Sequence, residues 1–242
     1  MIVRAPVSCL LAFCLAVWLA SFSTAQAGLF KVDVTCDNVY AIYTGTQTAA
    51  TAFIATNNDW PGAETYNFNL PGNSYIYVAC YTDDAVAQGF LAQFTNLDTG
   101  YRFYSSDPQW QVTATGINKG TNDPAPTLAD LTTQIGLANA GSNPSLGWVS
   151  TTVGPANQSA YPWGTIAGID AAARWTWYDS GKDGRTGQPA VPFLGFNHDE
   201  YLIFRIPVAA EPTPAVPEPG SLALLGLGTL GMLGWHRRRR NG

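Results

Sequence analysis

Short runs of alternating apolar and polar residues, rich in β-branched and aromatic side chains, recur along the chain between residues 32 and 208. Eight of these runs predict β-strands, at residues 32–35, 38–43, 52–55, 66–70, 74–81, 89–96, 173–178 and 201–208. Turn-forming clusters such as Pro71-Gly72-Asn73 separate neighbouring runs. Many short strands with turns between them predict an all-β fold, an antiparallel β-sandwich.

One segment in the middle of the chain has helical spacing instead. Apolar residues recur there three and four positions apart, at Leu128, Leu131 and Ile135. Thr127, with Asp130 three residues later, is typical of a helix N-cap, and Gly136 or Gly141 would end the helix. The sequence therefore predicts one short helix.

The segments on either side of this helix are rich in Gly, Pro, Asn and Ser. Residues 118–126 and 139–168 are therefore expected to form long surface loops. No linker divides the strand-rich region, so we expect one β-sandwich domain over residues 28–210.

The first 27 residues have the pattern of a signal peptide, which we expect to form a short helix before its removal. Arg4 supplies the positive charge, residues 9–20 are apolar, and Ala25-Gln26-Ala27 has the small-x-small pattern of a cleavage site. An apolar run of 12 residues is too short to span roughly 30 Å of hydrocarbon, which favours cleavage over permanent anchoring.

A second apolar segment lies near the C-terminus. Residues 220–235 carry no charge, and as a helix they would extend ~24 Å, enough for a short membrane span. A basic cluster follows at once: His236, Arg237, Arg238, Arg239 and Arg240. Basic residues beside a span stay in the cytoplasm, so the sequence predicts that residues 220–242 anchor a domain on the other side of the membrane.

Proline and glutamate dominate residues 211–219, just before the apolar segment. Proline at every second or third position forbids a helix and favours an extended, protease-accessible linker. The motif at its end consists of Val216, Pro217, Glu218 and Pro219.

This motif, the Leu/Gly-rich span and the arginine cluster together resemble the PEP-CTERM sorting signal. The resemblance covers residues 216–242 and implies cleavage by an exosortase-type protease, typically in Gram-negative bacteria that make extracellular polysaccharide. An ordinary single-pass tail anchor is the alternative. Cleavage near the motif would release a chain of about residues 28–216.

Charge narrows the classes of partner for the released chain. Residues 28–216 contain 7 basic and 16 acidic residues. An acidic surface with few lysines argues against nucleic acid or anionic lipid as a partner, and simple solubility outside the cell accounts for it.

Two of the four cysteines, Cys36 and Cys80, lie outside the signal peptide. An even pair in an oxidising compartment predicts one disulfide, with two buried free thiols as the alternative. No metal site is expected, because His198 is the sole histidine between the two terminal signals. Asp179 and Asp183 resemble half of a calcium loop, but Lys182 stands where a ligand is needed, and a plain hairpin turn is favoured.

The strand-rich region has a second resemblance, to galactose-binding-like jelly rolls. The matching strings are residues 37–43, Trp60, 75–80, 89–91, 174–177 and 199–205. The resemblance implies a jelly-roll-like sandwich in which residues 105–163 form a loop-rich insertion. Such folds often bind carbohydrate, although fold alone does not decide function.

Tryptophans are the candidate ligand-contacting residues. Trp110, Trp148 and Trp163 lie in or beside predicted loops, where exposed rings could stack on sugars; the alternative is that they pack the loops onto the sandwich. Trp175 and Trp177 have strand spacing and are expected in the core.

No nucleophile elbow, P-loop or zinc-protease motif is present, so we do not expect an enzyme. The sequence predicts an exported protein of the cell surface or extracellular matrix, held only transiently at the inner membrane, with a structural or adhesive role. The alternatives are a lectin-like module that binds extracellular polysaccharide and a polysaccharide-active hydrolase, which would need two facing carboxylates.

Overall fold

The computed structural model describes residues 28–83, 85–142, 147–180, 193–194 and 200–208. The predicted signal peptide, linker, C-terminal apolar segment and basic tail lie outside these residues. The described strands are β1 (Gly28–Asp37), β2 (Val39–Gly45), β3 (Ala50–Asn57), β4 (Glu64–Leu70), β5 (Ser74–Tyr81), β6 (Gly89–Asn96), β7 (Arg102–Tyr104), β8 (Gln111–Asn118), β9 (Val149–Ser150), β10 (Thr152–Ala156), β11 (Arg174–Trp177) and β12 (Glu200–Val208). Helix α1 spans Leu128–Ala140.

The strands form two antiparallel sheets. Sheet I has the order β10-β11-β6-β1-β4, with β7 also paired to β6, and sheet II has the order β3-β2-β5-β12-β8-β9. Strands far apart in sequence are neighbours in both sheets. In sheet II, for example, β12 lies between β5 and β8. This arrangement confirms the predicted antiparallel sandwich and agrees with a jelly-roll-like fold.

The main core lies between the sheets and follows the two-residue period of a strand. Sheet I contributes alternate residues of β1 and β6, and sheet II contributes alternate residues of β5 and β12. These residues are Val32, Val34, Cys36, Phe90, Ala92, Phe94, Ile76, Val78, Cys80, Leu202, Phe204 and Ile206. Large rings fill the centre, where the Phe204 ring centroid lies 5.4 Å from that of Phe90 and 5.8 Å from that of Trp177.

Helix α1 covers the outer face of sheet II. Its buried residues Leu131 and Ile135 pack with Tyr43, Tyr77 and Ile203 of that sheet. The helix begins with a capping box between Thr127 and Asp130 and ends where Gly141 adopts a left-handed conformation with φ of 62°. The predicted helix and its cap are confirmed, and of the two candidate end points Gly141 is the one used.

A loop over residues 157–173 covers the outer face of sheet I. Trp163, Ile166 and Ile169 of the loop pack against Leu91 and Trp175 of the sheet. The sequence predicts residues 157–168 as part of a surface loop, but the side chains of Asn157, Ala160, Trp163 and Ile166 are buried. Trp175 and Trp177 are both fully buried as predicted, yet they pack in different clusters, with Trp175 under this loop and Trp177 between the sheets.

The buried side chain of Asn157 satisfies the backbone of this loop. Its amide group donates to the carbonyl oxygens of Ile166 and Ile169 at 2.9 Å each, and its oxygen accepts from the Ile166 N–H at 2.7 Å. Buried backbone polar groups need such partners, because leaving one unpaired costs about 1–3 kcal/mol. Asn157 therefore allows an irregular segment to act as a packed layer.

All eight predicted strands are present, but four strands are not predicted from the sequence. The most important is β8, which pairs with β12 inside sheet II and lies in the region expected to be a loop-rich insertion. Val112 is its one large apolar residue before Gly116, so its apolar pattern is short. Within the described residues, no helix is both long and apolar enough to cross a bilayer.

The inter-sheet packing predicts unequal effects of two phenylalanine truncations. Phe204→Ala removes a fully buried ring and should lower the free energy of unfolding by about 3–5 kcal/mol. Phe53→Ala on β3 is the control, because that ring is 48% exposed and mainly contacts Tyr43; we expect a loss of no more than about 1.5 kcal/mol. Chemical denaturation of both variants measures the difference, and equal losses would contradict this description of the core.

Candidate functional site

A polar pocket of about 640 Å³ opens where β5 and β8 end, at one end of the strands of sheet II. Thr82 and Asp83, which follow β5, line one side, and residues 118–123 line the other. Both strands run antiparallel to β12, so their last residues meet at the same end of the sheet. The lining supplies hydroxyl, amide and carboxylate groups, which suit a polar ligand.

The wall formed by residues 119–124 is held by its own hydrogen bonds. The Gly120 N–H donates to the Asp123 carboxylate at 2.7 Å, and the Asp123 N–H donates to the Gly120 carbonyl at 2.9 Å. The Lys119 ammonium donates to the Pro124 carbonyl at 2.6 Å and lies 5.5 Å from the centroid of the Tyr81 ring. The pocket therefore has a pre-formed wall with one cation beside its carboxylates.

A buried carboxylate lies beside this pocket. Asp37 ends β1 and is 7% exposed, and its side chain accepts a hydrogen bond from the Trp163 indole N–H at 2.7 Å. Burial raises the pKa of Asp37 from 3.8 to about 6, the Trp163 hydrogen bond opposes that rise, and the charge of Asp83 adds to it. The next residue, Asn38, accepts from the Asp83 N–H at 2.8 Å, which ties β1 to the pocket wall.

Cys36 and Cys80 come together between the sheets. Cys36 lies on β1 of sheet I and Cys80 on β5 of sheet II, and both are fully buried in the main core. Both thiols are free in the structure, and burial, reinforced by the neighbouring Cys80 thiol, raises the pKa of the Cys36 thiol well above its usual value. The disulfide between them stays a prediction.

Two of the three candidate sugar-contacting tryptophans are inside the protein. Trp110 is 1% exposed and packs against Phe90 and Phe94, and Trp163 is 5% exposed and stacks on Trp175 with ring centroids 4.1 Å apart. Rings with both faces covered cannot stack on a sugar. Of the two alternatives for Trp110 and Trp163, the structure therefore favours packing against the sandwich over sugar contact.

Trp148 is partly exposed, but its ring is already engaged. The guanidinium carbon of Arg205 lies 3.8 Å from the ring centroid, and the indole N–H donates to Asn139 at 2.8 Å. Arg205 also donates to Asn139 at 3.0 Å and to Gln111 at 2.8 and 3.0 Å. This network fixes Trp148 onto sheet II, where a cation–π contact occupies a ring face that a sugar would need.

The remaining predicted site residues are only partly described. Asp179 follows β11, whereas its proposed calcium partner Asp183 lies outside the described residues, so the calcium hypothesis remains untested. Within the described part of the chain, no three His, Cys, Asp or Glu side chains are grouped to hold a metal ion. The sorting residues 216–219 and the arginines 237–240 also lie outside it.

Two buried polar residues, Asp37 and Arg205, are not predicted from the sequence. Arg205 has a visible signal, since it is the one charged residue within the otherwise uncharged run 201–208. Asp37 has a weaker one, because it stands beside Asn38 in what reads as a turn. Neither signal identifies the aromatic partner, which is Trp148 for Arg205 and Trp163 for Asp37. Both tryptophans lie far away in the sequence.

Comparison with known protein families gives one match. The family model described as the PEP-CTERM protein-sorting motif matches residues 215–240. The match supports an exported protein that is processed at the membrane by an exosortase. No curated protein and no solved structure matches the chain.

The environment of Asp37 predicts a stability that falls as the pH rises. A carboxyl group whose pKa is higher in the folded than in the unfolded state favours folding when protonated, so its contribution is full below about pH 4 and is lost as the pH passes 6. Asp37→Asn keeps an acceptor for Trp163 and should raise the free energy of unfolding at pH 8 by roughly 1–3 kcal/mol, with little effect at pH 4. Denaturation across this pH range measures it.

The exposed Asp59→Asn variant is the matched control for this experiment. An Asp37→Asn profile that runs parallel to the wild-type profile at every pH would contradict the assignment.

The position of the two thiols predicts a disulfide that links the sheets in the exported protein. Closing a loop of about 44 residues should stabilise the fold by ~4 kcal/mol in the chain-entropy model. Intact-mass measurement after export should show the loss of two hydrogens, and protein retained in the cytoplasm by removal of residues 1–27 is the reduced control. Two thiols that alkylate once the exported protein is denatured would disprove the bond.

Proposed function

We propose that this chain is an exported structural or adhesive protein, released to the cell surface or surrounding matrix by cleavage near Glu218. The observation that carries the proposal is the PEP-CTERM motif at residues 215–240, which follows directly on a folded β-sandwich. The motif accounts for sorting, and the sandwich is the part that acts after release.

The position of the last strand supports release of an intact domain. β12 ends at Val208, eight residues before Val216, and every described strand and helix precedes that point. Cleavage in the proline-rich segment would therefore leave the whole described fold on one product. The chain also enters that segment from a strand paired on both sides, by β5 and β8.

The surroundings of Asp37, the carboxyl group with a raised pKa, support a role without catalysis. General acid–base catalysis requires a group that reaches the substrate. Asp37 has a pKa suited to such a role but is covered by Trp163. The raised pKa of Asp37 is better explained by its burial in the packed core than by a catalytic role.

The polar pocket favours one alternative function, the binding of a carbohydrate from the extracellular polysaccharide. Its hydroxyl, amide and carboxylate groups are those that hydrogen-bond sugars. Burial of Trp110 and Trp163 removes the stacking surface that would accompany such a site, so this function ranks second.

The sorting proposal predicts that release depends on Glu218 and its flanking prolines. Glu218→Gln, Pro217→Ala or Pro219→Ala should leave the protein in the membrane fraction, because the processing enzyme would no longer recognise its motif. Glu211→Gln, in the same proline-rich segment but outside the motif, is the control and should be released normally. Fractionation of the producing cells with detection of the sandwich domain measures both.

The basic tail can be tested in the same cells. Deleting Arg237, Arg238, Arg239 and Arg240 should weaken retention before cleavage, because the cluster holds the end of the span in the cytoplasm. Released protein that still carries these arginines would refute the processing step.

A further inference from the structure

The outermost strands of the two sheets differ in their protection against pairing with another strand. In the part of the chain that the structure describes, β4, β7 and β10 are the outermost strands of sheet I, and β3 and β9 are those of sheet II. An outermost strand carries unpaired backbone N–H and C=O groups that can bind another strand. Proteins therefore shorten such strands, or interrupt them with proline, bulges or charges.

Four of these five strands have such protection. β7 has three residues and β9 has two, and β10 contains Pro155 and a register shift against β11 between Val153 and Ala156. β3 has two register shifts against β2. None of the four therefore offers a long regular edge.

β4 has none of these devices after its first residue. It pairs with β1 in unbroken register over seven residues, from Gly28 opposite Leu70 to Val34 opposite Glu64. It contains no proline, and its one charged residue, Glu64, is its first. β4 thus presents a straight edge that is uncharged after its first residue.

We propose that two copies of this chain associate by antiparallel pairing of β4 with β4, about a two-fold axis that passes Asn67. Pairing an edge with its own copy uses the same surface twice, as a two-fold dimer requires. The two copies of sheet I would then form one continuous sheet.

The order of residues along β4 suits this self-pairing. With Asn67 opposite Asn67 of the second copy, Tyr66 lies opposite the other Phe68, and Thr65 opposite the other Asn69. Aromatic cross-strand pairs are favourable, and the Tyr66–Phe68 pair occurs twice. Phe68 is already buried and Tyr66 half-buried on the core side, so pairing would extend the existing core.

The charges near this edge do not oppose the pairing. Glu64 would face the apolar Leu70 of the second copy, at opposite ends of the paired segment. On the outer face, Asp33 of β1 is bound by the Lys31 ammonium at 2.8 Å and by the Thr65 hydroxyl at 2.7 Å. No like charges would therefore lie directly opposite each other, although the protein as a whole is acidic.

Charge reversal at the two-fold axis tests the proposal. Asn67 is exposed, so Asn67→Lys and Asn67→Asp should fold normally, and each places two like charges side by side in the dimer. Each variant alone should raise the dimer dissociation constant at least roughly tenfold, and an equimolar mixture of the two should restore association. Sedimentation velocity on protein purified from the producing cells, over a wide concentration range, measures it.

Ala52→Lys is the matched control, since it places a lysine at an exposed position of β3, on the edge of the other sheet. Both Ala52→Lys and the uncharged Asn67→Ser should dimerise like the wild type. Because Ala52→Lys leaves the C-terminal segment unchanged, it also controls for association through that apolar segment. Circular dichroism checks that all variants fold.

A wild-type protein that stays monomeric at every concentration would overturn the proposal. So would single charge variants that dimerise normally, a mixture that fails to restore the dimer, or an Ala52→Lys variant as impaired as Asn67→Lys. These outcomes do not depend on the sorting segment, so the dimer can fail while the proposed export stands, or the reverse.

Discussion

Both sheets of this protein carry buried side chains on both faces, and this property governs the rest of the architecture. All seven residues of β2 and all eight of β6 are buried. A two-layer sandwich covers one face of each sheet and leaves the other in water, which apolar side chains oppose. The chain therefore builds four layers, with α1 on sheet II and the loop of residues 157–173 on sheet I. The long segments between strands are part of the packing, and Asn157 makes that possible by satisfying buried loop backbone.

The features that could be predicted from the sequence are those with a strong local signal. All eight strands predicted from apolar runs are present, and Thr127 with Asp130 starts the one described helix. β8 has no such signal, because Thr113 and Thr115 are buried in it and Val112 is the only large apolar residue among its buried positions. Its strand state depends on pairing with β12, which is 82 or more residues away in sequence. Local patterns carry no information about such a partner.

The candidate site also divides into residues with a local sequence signal and contacts that depend on distant parts of the chain. Compartment and cysteine count single out Cys36 and Cys80, whereas strand pairing decides that they lie in opposite sheets of one core. The fates of Trp148 and Trp163 depend on Arg205 and Asp37, which lie on distant strands. Sequence composition identifies a loop tryptophan as a candidate contact residue. Whether its ring meets solvent or a buried polar group depends on how the loop folds back on the sheet.

The connection of β12 to the C-terminal segment also has a mechanical consequence. In the proposed anchored state, any drag on the domain from flow or from surrounding polymer would be transmitted through Val208 into β12. That strand is held by backbone ladders on both sides, with seven residue pairs to β5 and further pairs to β8. Tension along a doubly paired strand loads many hydrogen bonds at once, whereas a pull on an outermost strand can detach it one bond at a time. In that proposed state the domain would be held through an interior strand, where tension is shared between two neighbours.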